Sequence, residues 1–322
     1  MSQPSIAAVI LAAGKGTRLN SDRPKVLHEI CGRPMLAYVL DACRAAGVAD
    51  AIVVVGHGKD QVIAAFADDR DITWVEQNPQ RGTGHAVMVC REHLPKYEHV
   101  LVLCGDGPLI REETIRALLD RHIRGGLAAT LATAVLDDPT GYGRIWRDGD
   151  GRLRGIVEHA DATPEQRQIR EVNPSYYCFR TAEFLPLLDR LQPNNAKNEY
   201  YITDALALLI AAGRPVEAIT SVRPEDIYSI NSRHELALVN RVMRDRVLDR
   251  HMTAGVTIVD PASTWIDARA TIGRDTVIQP FVTISGPVRI GEHCRIGPFV
   301  HLAGGAVVAH HATVPPFTGG RA

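Results

Sequence analysis

The stretch "IAAVILAAGKGTRLNSDRPK", Ile6 to Lys25, decides the fold class of this chain. It begins with a continuous apolar run, Ile6–Ala12, of the length of a buried strand, and a glycine-rich turn follows at once. Cationic side chains stand in or just after this turn, at Lys15, Arg18 and Lys25. Because backbone N–H groups of such a turn can surround an anion and fixed cations add charge, the stretch predicts a phosphate-binding loop after a first strand.

The order of glycine and lysine excludes two common phosphate loops. A Walker loop requires GxxxxGK[ST], but here the lysine lies between Gly14 and Gly16. A dinucleotide fingerprint requires a third glycine and an acidic residue after the second strand, but position 19 is Leu19 and that strand ends in "VVVGHGKD". The loop therefore belongs to neither class.

Apolar runs alternate with helical stretches as far as about residue 127. Strands are predicted at Ile6–Ala12, Ala51–Gly56, 72–77 and His99–Asp106, and helices at Pro34–Val48, Lys59–Phe66 and 84–94. Such alternation is typical of a doubly wound domain whose parallel sheet is covered on both faces. Ligands bind there at the carboxyl ends of the strands. Further along, the sequence predicts a strand over 125–136, a hairpin around Asp148–Gly151 and a helix over 200–213.

A six-residue repeat begins after a predicted helix at His234–Met252. Every sixth residue is a branched aliphatic: Ile266, Ile272, Ile278, Ile284, Ile290, Ile296, Leu302, Val308 and Val314. A period of six fits neither a helix nor an alternating strand, and it predicts a hexapeptide β-helix of about three coils.

Composition narrows the classes of partner. The chain has 322 residues, 45% hydrophobic and 23% charged, with a net charge of −1. This balance argues against nucleic acid or an anionic membrane as an obligatory partner. No apolar run approaches the roughly 20 residues that span a bilayer, and "MSQPS" lacks the features of a signal peptide. The cysteines are scattered without ligand spacing, so we expect reduced thiols and a cytoplasmic protein.

The motifs resemble one bacterial family. "LAAGKGTRLNSDRPKVL", "HGK", "QRGTGHA", "GDGPLI", "DDPTGYGRI", "GIVEHADATPEQRQIREVN", "NEYYITD" and "INSR" follow in its order. The chain resembles the bifunctional N-acetylglucosamine-1-phosphate uridylyltransferase / glucosamine-1-phosphate acetyltransferases, within the sugar-phosphate nucleotidylyltransferases. The resemblance implies a Rossmann-like α/β domain with a mixed, mainly parallel sheet, followed by a short left-handed parallel β-helix. The boundaries expected are 1–231 for the nucleotidyltransferase domain, 232–254 for a linker helix and 255–322 for the β-helix.

The reaction that the resemblance implies is Mg²⁺-dependent. A uridylyl group passes from UTP to N-acetylglucosamine 1-phosphate, giving UDP-N-acetylglucosamine and pyrophosphate. Because the attacking phosphate is already an anion, the protein needs no general base, but it must align two repelling phosphates and neutralise their charge. Open alternatives are another sugar 1-phosphate, dTTP, or a non-catalytic regulatory subunit that binds a nucleotide sugar.

The resemblance also implies roles for individual residues. The phosphates are contacted by Arg18 and Lys25, and Mg²⁺ by Asp106 and Asn231. Nucleotide contacts are expected from Leu11, Ala12, Ala13, Gly14, Gln77, Gly82 and Thr83, and sugar contacts from Gly105, Gly143, Glu158, Asn173, Tyr201 and Thr203. Helix capping is an alternative for Asp106 and Asn231. The amide of Gln77 can pair with uracil or, flipped, with cytosine.

The chain departs from the family at two places in its sequence and also in its length. Cys104 replaces an aromatic residue, and Pro174-Ser175 replace a small residue and a glycine, so the sugar is less firmly implied than the nucleotide. The family's β-helix also continues further and carries its acetyl-CoA site, so we expect no acetyltransferase activity here. The family forms trimers through the β-helix, so a homotrimer is an open expectation for a chain with three coils.

Overall fold

The computed structural model describes residues 4–320, which form two compact units. Unit 1 holds the chain as far as Leu27 together with Met35–Asn231, and unit 2 holds His28–Pro34 and the chain from Ser232 onward. The break between Asn231 and Ser232 lies at the predicted boundary, and the division otherwise differs from the prediction in two respects. The short segment 28–34 groups with unit 2, and the predicted linker helix groups with the β-helix.

Side-chain hydrogen bonds explain why the segment 28–34 belongs to unit 2. The Asn240 amide accepts a hydrogen bond from the backbone N–H of Cys31 at 3.0 Å and donates one to the carbonyl of Glu29 at 3.3 Å. Both partners lie in a small hairpin. Asn240 therefore connects this hairpin to the helix Arg233–Thr253, in which Asn240 lies. Sequence patterns predict neither this hairpin nor its partner.

The elements are numbered in chain order over the described residues. The strands are β1 (Ile6–Leu11), β2 (Glu29–Ile30), β3 (Arg33–Pro34), β4 (Asp50–Val55), β5 (Ile72–Glu76), β6 (His99–Cys104), β7 (Ala129–Val135), β8 (Gly143–Arg147), β9 (Leu153–Val157), β10 (Glu171–Arg180), β11 (Val216–Thr220), β12 (Thr257–Ile258), β13 (Trp265–Ile266), β14 (Thr271–Ile272), β15 (Val277–Ile278), β16 (Thr283–Ile284), β17 (Arg289–Ile290), β18 (Arg295–Ile296), β19 (His301–Leu302), β20 (Val307–Val308), β21 (Thr313–Val314) and β22 (Gly319–Gly320). The α-helices are α1 (Met35–Ala45), α2 (Lys59–Ala65), α3 (Thr83–Met88), α4 (Glu112–Arg124), α5 (Pro164–Arg167), α6 (Thr181–Leu188), α7 (Thr203–Ala211) and α8 (Arg233–Thr253). Short 3₁₀ helices include Thr17–Leu19 and Lys25–Leu27. No helix within residues 4–320 is both long enough and apolar enough to cross a bilayer.

Unit 1 is built on a nine-stranded sheet with the order β11-β7-β10-β6-β1-β4-β5, to which the β8–β9 hairpin is added through β10. Strand β1 pairs in parallel with both β4 and β6, whereas β10 runs antiparallel to β6 and β7. The prediction of a mixed, mainly parallel sheet is confirmed. The residues Ala7–Ile10 and Val100–Leu103 are fully buried, which explains their continuous apolar runs.

Unit 2 contains the predicted hexapeptide β-helix. Its two-residue strands stack in parallel as β12-β15-β18-β21, β13-β16-β19-β22 and β14-β17-β20. The repeated aliphatic residues are buried, except Ile272, which is half-buried. At Gly273 a Cβ atom would lie 2.7 Å from the backbone nitrogen of Glu292 in the next coil, so close stacking excludes a side chain there.

A buried pair of histidines, His122 on α4 and His99 at the start of β6, connects that helix to the sheet of unit 1. His122 is fully buried, its Nε2 lies 3.1 Å from Nδ1 of His99, and its Nδ1 lies 3.0 Å from the hydroxyl of Thr130. Burial, the neighbouring His99 and the charge of Arg180 together lower the pKa of His122 to about 3. The folded protein therefore favours the neutral form of His122, and protonation of this ring costs stability.

We predict that unit 1 loses stability in mild acid through His122. The folded pKa of about 3 lies below the ordinary value of 6.5, so this contribution is complete above pH 6.5 and declines as the pH falls toward 3. Between pH 7 and pH 5 the free energy of unfolding in urea should fall by on the order of 1 to 2 kcal/mol from this group. The variant His122→Gln should show a smaller fall, and His57→Gln should match the wild type. An equal pH dependence in His122→Gln would contradict the assignment.

Candidate active site

Three predicted residues meet at the carboxyl ends of the adjacent strands β1 and β6. The ammonium of Lys25 donates to Oδ1 of Asn231 at 2.8 Å and forms an ion pair with the carboxylate of Asp106. Lys25 is only 9% exposed. The structure thus gathers side chains separated by 81 and 206 positions in the sequence into one charged cluster.

The local backbone explains how the cluster is positioned. Gly16 has a φ of +62°, and a Cβ atom there would lie 2.9 Å from Cβ of Lys25, so the glycine loop packs closely on the lysine stem. The N–H of Ile230 donates to the carbonyl of Asp106 at 3.1 Å, which ties the Asn231 segment to the loop after β6. The Asn231 amide donates to the hydroxyl of Ser229 at 3.2 Å, which leaves Oδ1 toward Lys25.

The donor set of this cluster fits Mg²⁺. A carboxylate and an amide oxygen already converge on one cationic group, and oxygen is the ligand that Mg²⁺ prefers. No group of three or more histidine, cysteine, aspartate or glutamate side chains in the described part of the chain could hold a metal. Two protein ligands suit Mg²⁺ nonetheless, since it keeps several waters and takes phosphate oxygens.

A cavity of about 270 Å³ adjoins the cluster. The seven residues predicted to contact the nucleotide all line it, and Lys25, Asp106, Cys104 and Gln80 line it as well. Sequence reasoning gave no role to Gln80, although this residue opens the "QRGTGHA" motif. One concave surface is thus formed by the glycine loop, the residue that follows β5 and helix α3, and the charged cluster lies at its edge.

The amide of Gln77 has a defined orientation in this cavity. Gln77 is 3% exposed, and its Nε2 donates to the carbonyl of Gly82 at 3.0 Å and lies 3.1 Å from Nδ1 of His85. Burial and the charge of Arg81 lower the pKa of His85, so its ring is neutral at pH 7 and can accept this bond. Oε1 of Gln77 is left as the acceptor.

Gly82 is held by a close backbone approach. It has a φ of +102°, and a Cβ atom there would lie 2.6 Å from the carbonyl oxygen of Tyr200. The N–H of Gly84 donates to the same carbonyl at 2.7 Å, and the N–H of Ile202 donates to the hydroxyl of Thr83 at 3.1 Å. The segment before α7 therefore fixes the start of helix α3.

A second cavity, of about 230 Å³, lies beside the first and shares Cys104 and Asp106 with it. Three of the residues predicted for sugar binding line it: Gly143, Glu158 and Asn173. A Cβ atom at Gly143 would lie 3.0 Å from Cγ2 of Ile156 and 3.4 Å from the carboxylate of Glu158, so a side chain there would press on Ile156 and touch Glu158. Burial raises the pKa of Glu158, and Thr203 donates a hydrogen bond to its carboxylate at 3.4 Å.

Four predicted site residues do not line either cavity. Arg18 is exposed on its 3₁₀ helix, and Gly105 donates its N–H to the carbonyl of Leu11 at 2.9 Å. Thr203 is buried behind Glu158. The hydroxyl of Tyr201 is buried without a hydrogen-bond partner among residues 4–320. Tyr142 and Ser229, which the sequence reasoning missed, do line the second cavity; Tyr142 directly precedes Gly143.

The two departures from the family lie together in the second cavity. Cys104, Pro174 and Ser175 all line it, and Ser175 interacts with the Cys104 thiol. Burial and the nearby Asp106 raise the pKa of Cys104 to about 12, so the thiol stays protonated at neutral pH. The N–H of Ser175 donates to Oδ1 of Asn173 at 3.0 Å, and the Asn173 amide donates to the Tyr177 hydroxyl at 2.6 Å.

Comparison with known proteins gives two matching domain families. Residues 8–197 match the MobA-like NTP transferase domain, and residues 269–304 match the bacterial transferase hexapeptide of six repeats. The chain is 46% identical over 281 residues to the bifunctional protein GlmU of Alkaliphilus metalliredigens, and 48% identical over 280 residues to that of Geobacillus thermodenitrificans. Each alignment covers 87% of this chain and 61% of the relative, so the chain spans about three fifths of their length.

Solved structures share the fold of about three quarters of this chain. UDP-glucose pyrophosphorylase complexed with UDP-glucose matches with a TM-score of 0.62 and 18% identity, over 75% of this chain and 99% of that one. A putative glucose-1-phosphate thymidylyltransferase from Bacillus anthracis matches with a TM-score of 0.63 and 18% identity, over 75% and 96% of the two chains. At this identity the likeness concerns the fold alone.

We predict that Gly82→Ala destabilises unit 1 by at least about 2 kcal/mol, because a new Cβ atom meets a backbone carbonyl at a positive φ. The matched control is Gly213→Ala, which also has a positive φ of +67° but has nothing within 4 Å of the new atom. The control should cost about 1 kcal/mol. Urea unfolding measures both values, and equal costs would show that the contact with Tyr200 is unimportant.

Proposed function

Because the chain belongs to the MobA-like NTP transferase domain family, we propose that it transfers a uridylyl group from UTP to N-acetylglucosamine 1-phosphate with Mg²⁺. The observation that carries this proposal is the Lys25, Asp106 and Asn231 cluster at the junction of two adjacent cavities. One cavity receives the nucleotide and the other the sugar. The reacting phosphates then meet at the cluster.

The chemistry needs alignment and charge neutralisation more than proton transfer. The sugar phosphate is an anion at neutral pH and attacks the α-phosphate of the nucleotide, while pyrophosphate leaves. Lys25 supplies a compact positive charge to these phosphates, and Arg18, exposed on the same loop, is available for the leaving group. Mg²⁺, held by Asp106 and Asn231, would neutralise the charge that grows on the phosphate oxygens.

The orientation of Gln77 supports uracil as the base. Its Nε2 is engaged by Gly82 and His85, so Oε1 can accept the N3–H of uracil. Cytosine presents an acceptor at that position and would face Oε1 without a proton between them. Thymine shares the N3–H of uracil, so dTTP is separated from UTP by other contacts.

The second cavity supports a polyol as the acceptor. Glu158 and Asn173 place a carboxylate and an amide on its wall, and both suit sugar hydroxyls. The motif resemblance supports N-acetylglucosamine 1-phosphate as the sugar. Cys104 and Ser175 line the same cavity, so we expect these two residues to affect which substituent on the sugar is accepted. The expected absence of acetyltransferase activity stays a prediction, which an assay of acetyl-CoA consumption with glucosamine 1-phosphate tests.

The proposed reaction is tested by pyrophosphate release over a grid of sugar 1-phosphates and nucleoside triphosphates. The highest kcat/KM should belong to UTP with N-acetylglucosamine 1-phosphate, and Asp106→Asn should lower kcat about 10²–10³-fold, because it removes a charge beside the phosphates. The exposed Asp50→Asn should leave the rate within about two-fold. No turnover with UTP and any aldose 1-phosphate would refute the proposal and would favour a non-catalytic binding protein.

We also predict that Gln77→Ala lowers the preference for UTP over CTP about 10-fold, since it removes the acceptor for the N3–H. Gln80→Ala, a truncation of the same side chain in the same cavity, should leave this ratio unchanged. The readout is the ratio of kcat/KM for the two nucleotides. A ratio that falls equally in both variants would mean that Gln77 does not read the base.

A further inference from the structure

We propose that Lys25 has a second role: in the metal-free protein its ammonium holds the cation position of Asp106 and Asn231. The inference rests on the metal ligands given under the proposed function. It predicts that a divalent cation alone competes with Lys25 for the same two oxygens. A metal–triphosphate complex does not compete in this way, because its phosphates offer Lys25 another partner.

The first support is the geometry of the cluster. Nζ of Lys25 is bonded to Oδ1 of Asn231 and to the carboxylate of Asp106, the two oxygen groups that would ligate the metal. The Lys25 side chain is 10% exposed and that of Asp106 is 22% exposed, so solvent screens this contact only in part. An ammonium and a divalent cation repel each other at such distances, so simultaneous binding of both to these oxygens is strongly disfavoured.

The second support is that the lysine can change partners without moving its stem. Gly16 packs against the aliphatic carbons of Lys25, with Cβ, Cγ and Cδ at 2.9 to 3.3 Å from the position a Cβ would take at Gly16. This contact fixes the stem and leaves the ammonium to turn about the last torsions. Lys25 also lines the nucleotide cavity, so a phosphate placed there lies within its reach.

Asp106 is neutralised by a cation both without the metal and with metal and triphosphate bound. In the metal-free protein Lys25 neutralises Asp106, and with both ligands present the metal neutralises Asp106 while Lys25 binds phosphate. Binding of the metal frees Lys25 from Asp106 to bind phosphate, and binding of the triphosphate draws Lys25 away from the metal position. Metal and triphosphate should therefore bind cooperatively. Lys25 thus acts before the reaction as a counter-ion that keeps the donor set assembled.

The test measures Mn²⁺ binding to the nucleotide-free full chain by electron paramagnetic resonance. The variant Lys25→Met keeps the stem but removes the charge, and it should bind Mn²⁺ about 10-fold more tightly than the wild type, or better. The control Lys15→Met removes the same charge from an exposed position on the same loop and should stay within about two-fold of the wild type. Lys25→Gln, with a polar end, should give the same gain and serves if Lys25→Met does not fold.

A double variant identifies where the metal is bound. Adding Asp106→Asn to Lys25→Met should abolish the gain in Mn²⁺ affinity. Absence of a gain in both Lys25→Met and Lys25→Gln would overturn the proposal, and so would a gain that survives in the double variant. No turnover is needed for this assay, so a failure of UTP as substrate would leave its result intact, and an unchanged Mn²⁺ affinity would leave the proposed reaction standing.

Discussion

The contact of the Lys25 ammonium with Asp106 and Asn231 is the interaction on which the candidate site depends. It joins the glycine loop after β1, the loop after β6 and the segment that ends unit 1. The parallel pairing of β1 with β6 brings the first two together, because Leu11 and Cys104 are partners in register at the ends of those strands. A phosphate loop and a carboxylate can meet there only because the strands are parallel and adjacent.

The sequence predicts the parts of the fold whose side chains are buried in a simple pattern. The continuous apolar runs of β1, β4 and β6 reflect strands that are buried on both faces. The six-residue period of the β-helix reflects side chains that point into its interior at regular intervals. Strand β10 could not be found in this way. It contains Pro174 and polar residues, which argue against a central strand, and yet it lies between β6 and β7. A register shift between Val172 and Tyr176 accommodates the proline, and only the tertiary structure reveals it.

The same limit applies to the candidate site. The types and spacing of Lys25, Asp106 and Asn231 are visible in sequence motifs, but the orientation of a side chain depends on neighbours from elsewhere in the chain. The amide of Gln77 is oriented by Gly82 and His85, and the amide of Asn173 by Tyr177 and Ser175. Placement of Cys104 beside Ser175 likewise requires the antiparallel pairing of β10 with β6. The sequence therefore predicts which residues belong to the candidate site. The orientation of their side chains depends on contacts that form only in the folded chain.

The central claim is that one cation position, between Asp106 and Asn231, serves both the lysine and the metal. Anomalous diffraction from a crystal grown with Mn²⁺ and a non-hydrolysable UTP analogue tests it most directly. The account predicts an anomalous peak within about 2.3 Å of the Asp106 carboxylate and of Oδ1 of Asn231, with Lys25 turned onto a phosphate. A metal held by the nucleotide alone, with Lys25 still bonded to Asp106 and Asn231, would contradict it.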